Sequence, residues 1–230
     1  MRILFLADLH GNMVATEAME KMIRFLAPDD IWFLGDAVGK GPQSRETCDW
    51  VRANCRHFIG GNWDYGIGGR EFSEDGYFWD QLGEERMAWL NSLPLEDELT
   101  VCGQRFRLFH GRPVTPLLVA TTESTELEPL FETEKGRFQG VLFADSHRPF
   151  VRTLNCGYYM NTGSVGNSMG VPRAHALLME SVETLSALSF QVISVPYDNE
   201  KAAQIARSDP HLPHKDAYIR EVLTGIYSRD

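Results

Sequence analysis

The sequence is poor in basic residues and contains no long apolar run. Lys and Arg number 22 against 32 Asp and Glu, which gives a formal net charge of -10 at pH 7. Because binding to a nucleic-acid backbone requires clustered Lys and Arg, this balance argues against a nucleic-acid-binding face. The apolar run from Arg2 to Ala7 stops at Asp8, so it is too short for a signal-peptide core or a membrane span. We therefore expect a cytoplasmic protein that contacts no membrane.

Cysteine is also scarce, and the sequence has no repeats or linkers. The four cysteines, which form no CxxC pair, are Cys48, Cys55, Cys102 and Cys156. Without a secretion signal we expect them to be reduced thiols that pack as small hydrophobic side chains. No internal repeat or Pro/Gly/Ser linker divides the 230 residues, of which 43% are hydrophobic. The sequence therefore predicts a single domain over residues 1–230.

What the sequence does contain is an early alternation of apolar strands and helices. The predicted strands are Arg2 to Ala7, Ile31 to Leu34 and Arg56 to Ile59, and the predicted helices between them are Met13 to Leu26 and Ser44 to Ala53. The order βαβαβ requires a parallel sheet with right-handed crossovers. In such a sheet, ligands bind at the carboxyl ends of the strands.

The rest of the chain adds further strands and an aromatic-rich insertion at about residues 65–97. Strands are predicted near Leu99 to Val101, Arg105 to Phe109, Val141 to Phe143, Tyr158 to Met160, His175 to Glu180 and Leu188 to Val195. Packing of the insertion onto the domain is the favoured interpretation of its aromatic residues, and a lid or a subunit contact is the alternative. Glu123 to Glu134 is predicted to be an acidic helix, and two C-terminal helices are expected at about residues 199–226.

Six side chains of metal-binding type follow directly after predicted strands. They are Asp8, His10, Asp36, Asn62, His110 and His147. Any one of them alone would be weak support, because strand-end Asp residues commonly form turns. Carboxylate, imidazole and amide ligands together suit borderline divalent ions such as Mn, Fe or Zn. The complete set predicts a metal site at the strand ends.

The order of these motifs resembles the calcineurin-like metallophosphoesterases, especially their small prokaryotic members of the predicted-phosphodiesterase and diadenosine-tetraphosphatase-like type. The family motifs DxH, GDxxxxG, GNHD, HG and GHxH correspond here to Asp8-Leu9-His10, Gly35-Asp36 through Gly41, Gly61-Asn62-Trp63-Asp64, His110-Gly111 and Ala144-Asp145-Ser146-His147. The segments Asn161 through Gly166 and Val195 through Asp198 are also similar to this subgroup. The resemblance spans nearly the whole chain.

The resemblance implies a four-layer α/β/β/α sandwich with two divalent metal ions, for which Mn is favoured and Fe, Zn, Ni or Mg are alternatives. One ion would be bound by Asp8, His10, Asp36 and His147, and the other by Asp36, Asn62 and His110. Asp36 would bridge the two ions. A hydroxide held between ions about 3.5 to 4 Å apart would then attack the phosphorus of a small phosphorylated substrate in line.

The sequence departs from the family pattern at two positions of the site. Trp63 replaces the histidine of GNHD, and an indole N–H cannot transfer a proton at useful pH. Asp64, which would orient that histidine, is expected to cap a turn or to hydrogen-bond a group behind the site. Asp145 replaces the first histidine of GHxH, and it is either a replacement ligand, the favoured interpretation, or an unused loop residue.

Substrate contacts are predicted at Asn12, Arg112 and Arg148, with an exposed loop cation as the alternative for Arg112. The favoured function is metal-dependent hydrolysis of a phosphodiester or phosphomonoester. A non-catalytic or regulatory binding protein with a degraded site is the main alternative, and a scaffold resembling a retromer subunit is a weaker one. A homo-oligomer is compatible with the sequence, which contains no feature that requires one.

Overall fold

Strands and helices alternate along the chain, which the computed structural model describes over residues 1–229. The strands are β1 (Arg2–Leu6), β2 (Asp30–Leu34), β3 (His57–Ile59), β4 (Glu96–Val101), β5 (Gln104–Phe109), β6 (Glu132–Thr133), β7 (Gly136–Arg137), β8 (Gly140–Phe143), β9 (Phe150–Leu154), β10 (Gly157–Asn161), β11 (Ala174–Val182) and β12 (Ala187–Val195). The α-helices are α1 (Met13–Leu26), α2 (Ser44–Asn54), α3 (Asn62–Gly68), α4 (Gly76–Asn91), α5 (Ser124–Leu127), α6 (Asn199–Ser208) and α7 (Lys215–Thr224). Short 3-10 helices occur at Ser73–Asp75, Glu128–Phe131 and Glu183–Leu185.

Two five-stranded sheets organise the fold. The first sheet has the strand order β12-β11-β1-β2-β3, and the second has the order β4-β5-β8-β10-β9. Strands β1, β2 and β3 are mutually parallel, and so are β5, β8 and β10, whereas the flanking strands pair antiparallel. Both sheets therefore present a set of parallel carboxyl ends, which is where loops can gather ligands.

The central core lies between the two sheets. Alternate residues point into it because side chains of a strand face opposite sides, as for Ile3 and Phe5 of β1 and Phe106 and Leu108 of β5. The opposite face of the first sheet, which includes Leu4, packs against the long helices. Burial of these apolar faces on both sides of the first sheet explains why β1 is continuously apolar from Ile3 to Leu6.

A thinner layer covers the outer face of the second sheet. Phe109, Val141 and Tyr159 pack there against Leu127 of α5 and Phe131 of the following 3-10 helix. The layers are therefore long helices, first sheet, second sheet and short helices. This order confirms the predicted four-layer α/β/β/α sandwich. None of the helices within residues 1–229 combines the length and the apolar character needed to cross a membrane.

Asn12 fixes the start of α1, whose bounds match the predicted Met13 to Leu26. Its Oδ1 accepts a hydrogen bond from the N–H of Ala15 at 3.1 Å, which makes it the N-cap. Its Nδ2 donates to the carbonyl oxygen of Gly166 at 2.8 Å, and the residue is 1% exposed. Both polar ends of the side chain therefore support the fold, so this geometry gives no support to the predicted contact of Asn12 with substrate.

The prediction of one acidic helix from Glu123 to Glu134 is wrong. Only Ser124–Leu127 is α-helical, because Pro129 lacks an N–H and the chain continues as a 3-10 helix. Phe131 then turns into the outer core, and β6 follows directly. Packing of Leu127 and Phe131 against the second sheet overrides the acidic composition of the segment.

The predicted insertion contains α3, a 3-10 helix and α4, and its last two residues belong to β4. Helix α4 is kinked at Gly83, where φ is 67°. Phe78 is buried in the core beneath the long helices, and Trp79 and Trp89 pack partly buried against it. The aromatic residues therefore pack onto the domain.

Candidate metal centre

The side chains predicted to bind metal converge at one edge of the sandwich. From the first sheet, Asp8 follows β1, Asp36 follows β2, and Asn62 begins α3 after β3. From the second sheet, His110 follows β5 and His147 follows β8. The carboxyl ends of parallel strands from both sheets therefore surround a single buried space.

The loops of this edge hold their ligand residues in a strained backbone conformation. Positive φ angles occur at Asp8 (54°), His10 (46°), Asp36 (62°), Asp145 (62°) and His147 (57°). This left-handed region costs about 1–3 kcal/mol for residues other than glycine, and such strain clusters at functional sites. The strained positions therefore coincide with the sequence motifs.

Hydrogen bonds to the backbone orient all three histidines in the same way. The Nδ1 atoms of His10, His110 and His147 lie 3.0, 2.6 and 2.5 Å from the carbonyl oxygens of Val38, Leu34 and Asn167. A carbonyl oxygen only accepts, so each Nδ1 carries a proton, and in the neutral ring Nε2 carries the lone pair. Outer hydrogen bonds of this kind position the histidines of metal sites.

The Nε2 atoms and carboxylate oxygens form two overlapping groups. In the first ligand group, Asp8, His10 and His147, the two Nε2 atoms lie 3.2 Å apart, and Asp8 Oδ1 lies 3.6 and 3.3 Å from them. The second ligand group consists of Asp8, Asp36 and His110. In it, His110 Nε2 lies 3.8 Å from Asp8 Oδ1 and 3.3 Å from Asp36 Oδ2. Tetrahedral ligands at about 2.1 Å from one ion lie about 3.4 Å apart, so both groups have the spacing of a metal site. Asp36 Oδ2 also lies 3.6 Å from His10 Nε2, so Asp36 faces both groups.

Several of these atoms are buried without a hydrogen-bond partner among residues 1–229. They are both carboxylate oxygens of Asp8, Oδ1 of Asn62 and Nε2 of His110. An unpartnered buried polar group costs about 1–3 kcal/mol, and such groups are uncommon unless an ion or ligand satisfies them. All four atoms are of a type that binds divalent metal, so the residues fit the metal ions that the family resemblance implies.

The pKa values of the site show how strongly its charges interact. Burial raises the pKa of Asp8 well above its usual range, opposed by His110 and reinforced by Asp36. Burial lowers the pKa of His110, but the carboxylates of Asp36 and Asp8 outweigh it and raise that pKa well above 6.5 overall. The two carboxylates therefore draw positive charge to the buried space.

Asp64 holds the loop that carries Asp36. It is fully buried, and its carboxylate accepts hydrogen bonds from the N–H groups of Asp36 (2.7 Å), Ala37 (2.9 Å) and Gly61 (3.1 Å). Burial and the charge of Asp36 raise the pKa of Asp64 to about 7. Asp64 therefore holds the loops that carry Asp36 and Asn62 from behind.

Asp145 lies at the edge of the site and outside both ligand groups. The guanidinium of Arg112 binds its carboxylate with two parallel bonds, Nη2 to Oδ1 at 2.6 Å and Nε to Oδ2 at 2.9 Å. The backbone N–H of Arg112 adds a third bond at 3.1 Å. Although burial opposes it, Arg112 lowers the pKa of Asp145. The geometry thus gives Asp145 an ion-pairing role, and its predicted role as a metal ligand stays a prediction.

Trp63 fills the space between the ligand groups and the solvent. Its backbone N–H donates to Asp36 Oδ1 at 2.9 Å, and its ring meets that of His10 edge-on at 5.8 Å. Gly39, at φ 83°, allows this close approach, because a Cβ there would lie 2.2 Å from the indole. The indole that replaces the family histidine is therefore a packed wall of the site.

A cavity of about 740 Å³ opens onto the site. Asn62, Asp145 and His147 line its floor, and Arg112 and the exposed Arg148 line its rim. Its apolar wall comprises Trp63, Ile67, Phe72, Phe78, Leu117, Val119, Met169 and Tyr227. A volume of this size accommodates a small organic phosphate. The predicted substrate contacts of Arg112 and Arg148 are therefore sterically open.

Four polar residues on one side of the cavity lie outside the predicted metal-binding set. Lys40 is 6% exposed, and its Nζ lies 3.3 Å from both His147 Nε2 and Asn167 Oδ1. Asn167 Nδ2 donates to Glu221 Oε2 at 3.1 Å, and Arg229 Nε donates to the same oxygen at 3.2 Å. One signal in the sequence was available. Glu221 lies at helical spacing from the buried Tyr218, on the apolar face of α7.

A sequence profile of the calcineurin-like phosphoesterases matches residues 1–178. The chain belongs to this family. That segment contains all the metal-binding motifs, from Asp8 to His147. Members of the family are metal-dependent phosphoesterases, so this chain is a hydrolase-family protein with a metal-binding site.

Relatives from several organisms support this assignment. The chain is 27% identical over 226 residues to the uncharacterized protein MJ0912 of Methanocaldococcus jannaschii, covering 87% of this chain and 89% of that protein. It is similar to a metallophosphoesterase from Sphaerobacter thermophilus, with 25% identity, a TM-score of 0.75 and coverage of 98% and 99%. The hypothetical protein PH1004 from Pyrococcus horikoshii shares the fold, with 19% identity, a TM-score of 0.80 and 99% coverage of both chains.

Proposed function

We propose that the protein hydrolyses a phosphodiester or phosphomonoester with the help of two divalent metal ions, for which Mn is favoured. The observation that carries this proposal is the pair of ligand groups that share Asp8 and open onto a cavity with cationic side chains. We further propose a small phosphorylated substrate and a cytoplasmic location.

The chain's own residues hold the reacting groups in place. His10 and His147 would hold one ion, and His110 and Asn62 would hold the other, with Asp8 common to both ligand groups and Asp36 facing both. Bound ions of this kind lower the pKa of water and neutralise charge on the phosphoryl oxygens. The Nδ1 hydrogen bonds and Asp64 keep these ligands oriented, so little reorganisation accompanies the reaction.

On the cavity side, the site has a cation that can contact the substrate, but Trp63 cannot act as the general acid that protonates a leaving group. Arg112, which Asp145 holds at the rim, can contact an anionic phosphoryl oxygen with its exposed edge. Trp63 cannot donate a proton to a leaving group as the family histidine would. We therefore expect faster turnover of substrates whose leaving groups are stable as anions.

The test is a hydrolysis assay on aryl phosphates after metal loading. Purified protein with Mn should cleave 4-nitrophenyl phosphate or bis(4-nitrophenyl) phosphate, and Asp36→Ala should abolish this activity. The control is Asp80→Ala, an exposed carboxylate on α4, which should retain it. Absence of turnover with Mn, Ni, Mg, Zn and Fe in turn would refute the proposal and favour a regulatory binding protein.

A further inference from the structure

Two cations from distant parts of the chain, Lys40 and Arg229, line the cavity next to the ligand groups. We propose that these two side chains form an anion subsite that binds a second phosphate group of the substrate. That a scissile phosphate of the same substrate lies at the ligand groups, next to this subsite, rests on the proposed function. The substrate class is then an organic molecule that carries two phosphate groups.

Lys40 is a buried cation with an incomplete set of partners. Its ammonium group offers three donors, and two contacts are present, to His147 Nε2 and to Asn167 Oδ1, both at 3.3 Å. The first of these acceptors is the nitrogen that the first ligand group presents to a metal. Lys40 therefore has donor capacity left for a ligand in the cavity.

Arg229 approaches the same place from the C-terminal segment that follows α7. Its side chain is 11% exposed, and its Nε lies 3.2 Å from each carboxylate oxygen of Glu221. Its Nη2 is buried and has no hydrogen-bond partner among residues 1–229. The guanidinium lies 6.0 Å from the centre of the Trp63 ring, and Lys40 Nζ lies 5.8 Å from it. Both cations therefore border the same indole.

The charges at this wall do not balance. Glu221, which is fully buried, is the carboxylate that contacts this wall, and it already accepts from Arg229, Asn167 and the N–H of Ser228. At this wall one negative charge thus faces two positive ones, while the carboxylates of Asp8 and Asp36, which also attract Lys40, belong to the ligand groups. The two cations repel each other across the indole of Trp63, which both of them border. An anion bound between the two cations would relieve this repulsion and complete their hydrogen bonds.

The other cations of the cavity differ from this pair. Arg112 is neutralised by Asp145, and Arg148 is exposed to solvent. Lys40 and Arg229 are therefore the two buried cations of the cavity whose donors are incompletely used. A phosphate group offers the several acceptor oxygens that two such donors require, and Ile67, Phe72 and Phe78 provide apolar surface for the organic part.

The first arm of the test measures binding of pyrophosphate to chelator-treated protein by calorimetry. Arg229→Gln should weaken binding roughly tenfold or more, since a hydrogen bond between charged groups is lost, and Arg229→Lys should recover part of it. Arg220→Gln removes an exposed arginine of α7 and should leave binding unchanged. Thermal unfolding of each variant identifies any loss of fold. Equal affinity of folded Arg229→Gln and wild type would overturn the proposal.

The second arm compares two substrates that differ only in the second phosphate. These are thymidine 5′-(4-nitrophenyl phosphate) and the same compound with a 3′-phosphate. In each Mn-loaded protein, the kcat/KM of the 3′-phosphorylated compound is divided by that of the compound without the 3′-phosphate. This ratio should be roughly tenfold lower in Arg229→Gln than in wild type. An unchanged ratio would overturn the subsite. If wild type cleaves neither compound nor any simple aryl phosphate, the proposed function fails, and the pyrophosphate arm still decides the subsite.

Discussion

The two ligand groups share Asp8 but differ in the chemistry of their other members. The first adds His10 and His147, whose pKa values burial and Lys40 hold well below 6.5. The second adds the carboxylate of Asp36 and His110, whose pKa the carboxylates raise despite burial. One group is thus rich in neutral nitrogen lone pairs, and the other in negative oxygen. One buried space can therefore favour two ions with different ligand preferences, a softer ion at the nitrogen-rich group and a harder ion at the oxygen-rich group.

Removal of the shared ligand should have the largest effect. Asp8→Asn leaves both groups without their common carboxylate, so we expect loss of both ions and a fall in kcat/KM on the order of 10³-fold. The metal content of dialysed protein, measured by plasma mass spectrometry, checks the first result. Two retained ions would contradict the sharing of Asp8, and Asp80→Asn is the matched control on an exposed carboxylate.

The same variant should stabilise the metal-free protein. Burial raises the pKa of Asp8, so its ionised form opposes folding when no cation is bound. The neutral amide should therefore increase the free energy of unfolding of chelator-treated protein by about 1–3 kcal/mol. Urea unfolding at pH 7 measures this change, and a destabilised variant would contradict the assignment of Asp8 as an uncompensated carboxylate.

Single histidine variants should separate the two groups. His147→Gln belongs to the first group and His110→Gln to the second, so each should retain one ion and lose on the order of 10²-fold in kcat/KM. Loss of both ions from each variant would show that the groups bind as one unit. Titration with Zn and with Mn should further show that His110→Gln binds Zn more tightly than Mn, because the first group, which this variant retains, is the one richer in nitrogen ligands.

The ligand residues could be predicted from the sequence because each lies in a local motif after a strand. Asp8, Asp36 and His147 needed only the strand ends and the order of motifs to be recognised. The prediction of a helix across Pro129 was wrong because the proline ends the α-helix, a signal that the sequence already contained, and only the packing of Phe131 against the second sheet required the structure.

Contacts between distant parts of the chain could not be predicted in this way. The pairing of Arg112 with Asp145 depends on how the loop after β5 meets the loop after β8. The connection from Lys40 through Glu221 to Arg229 brings residues together across most of the chain length. Such contacts depend on tertiary packing, and spacing along the sequence carries no record of them.

Asp145→Asn should have a smaller effect than loss of either histidine. Since Arg112 occupies both oxygens of Asp145, we expect the variant to keep two ions. The KM should rise a few-fold, which corresponds to a loss of about 0.5–1 kcal/mol in the free energy of substrate binding. The reason is that the half-exposed Arg112 loses its ion-pair partner at the cavity rim. Retention of a single ion would contradict this expectation and establish Asp145 as the replacement ligand.

A buried histidine outside both groups should affect the stability of the fold instead of the metal site. The ring nitrogens of His175 lie 2.8 and 3.1 Å from the hydroxyls of Ser168 and Ser194, so neither is free for a metal. Burial, with Arg173, lowers the pKa of His175 from 6.5 to about 4. Protonation therefore favours the unfolded state, and about 2 kcal/mol of stability present above pH 6.5 should be lost as the pH falls toward 4.

The variant His175→Gln should show less of this loss than wild type. Urea unfolding of metal-free protein at pH 7 and at pH 4.5 measures the difference between the two. Parallel pH dependence in the two proteins would contradict the buried, neutral state of His175.

The central claim is that the two ligand groups bind two adjacent ions. Anomalous diffraction at the manganese edge from Mn-soaked crystals tests it most directly. We expect two anomalous peaks, both within bonding distance of Asp8, one next to His10 and His147 and the other next to His110. A single peak, or peaks away from Asp8, would contradict it.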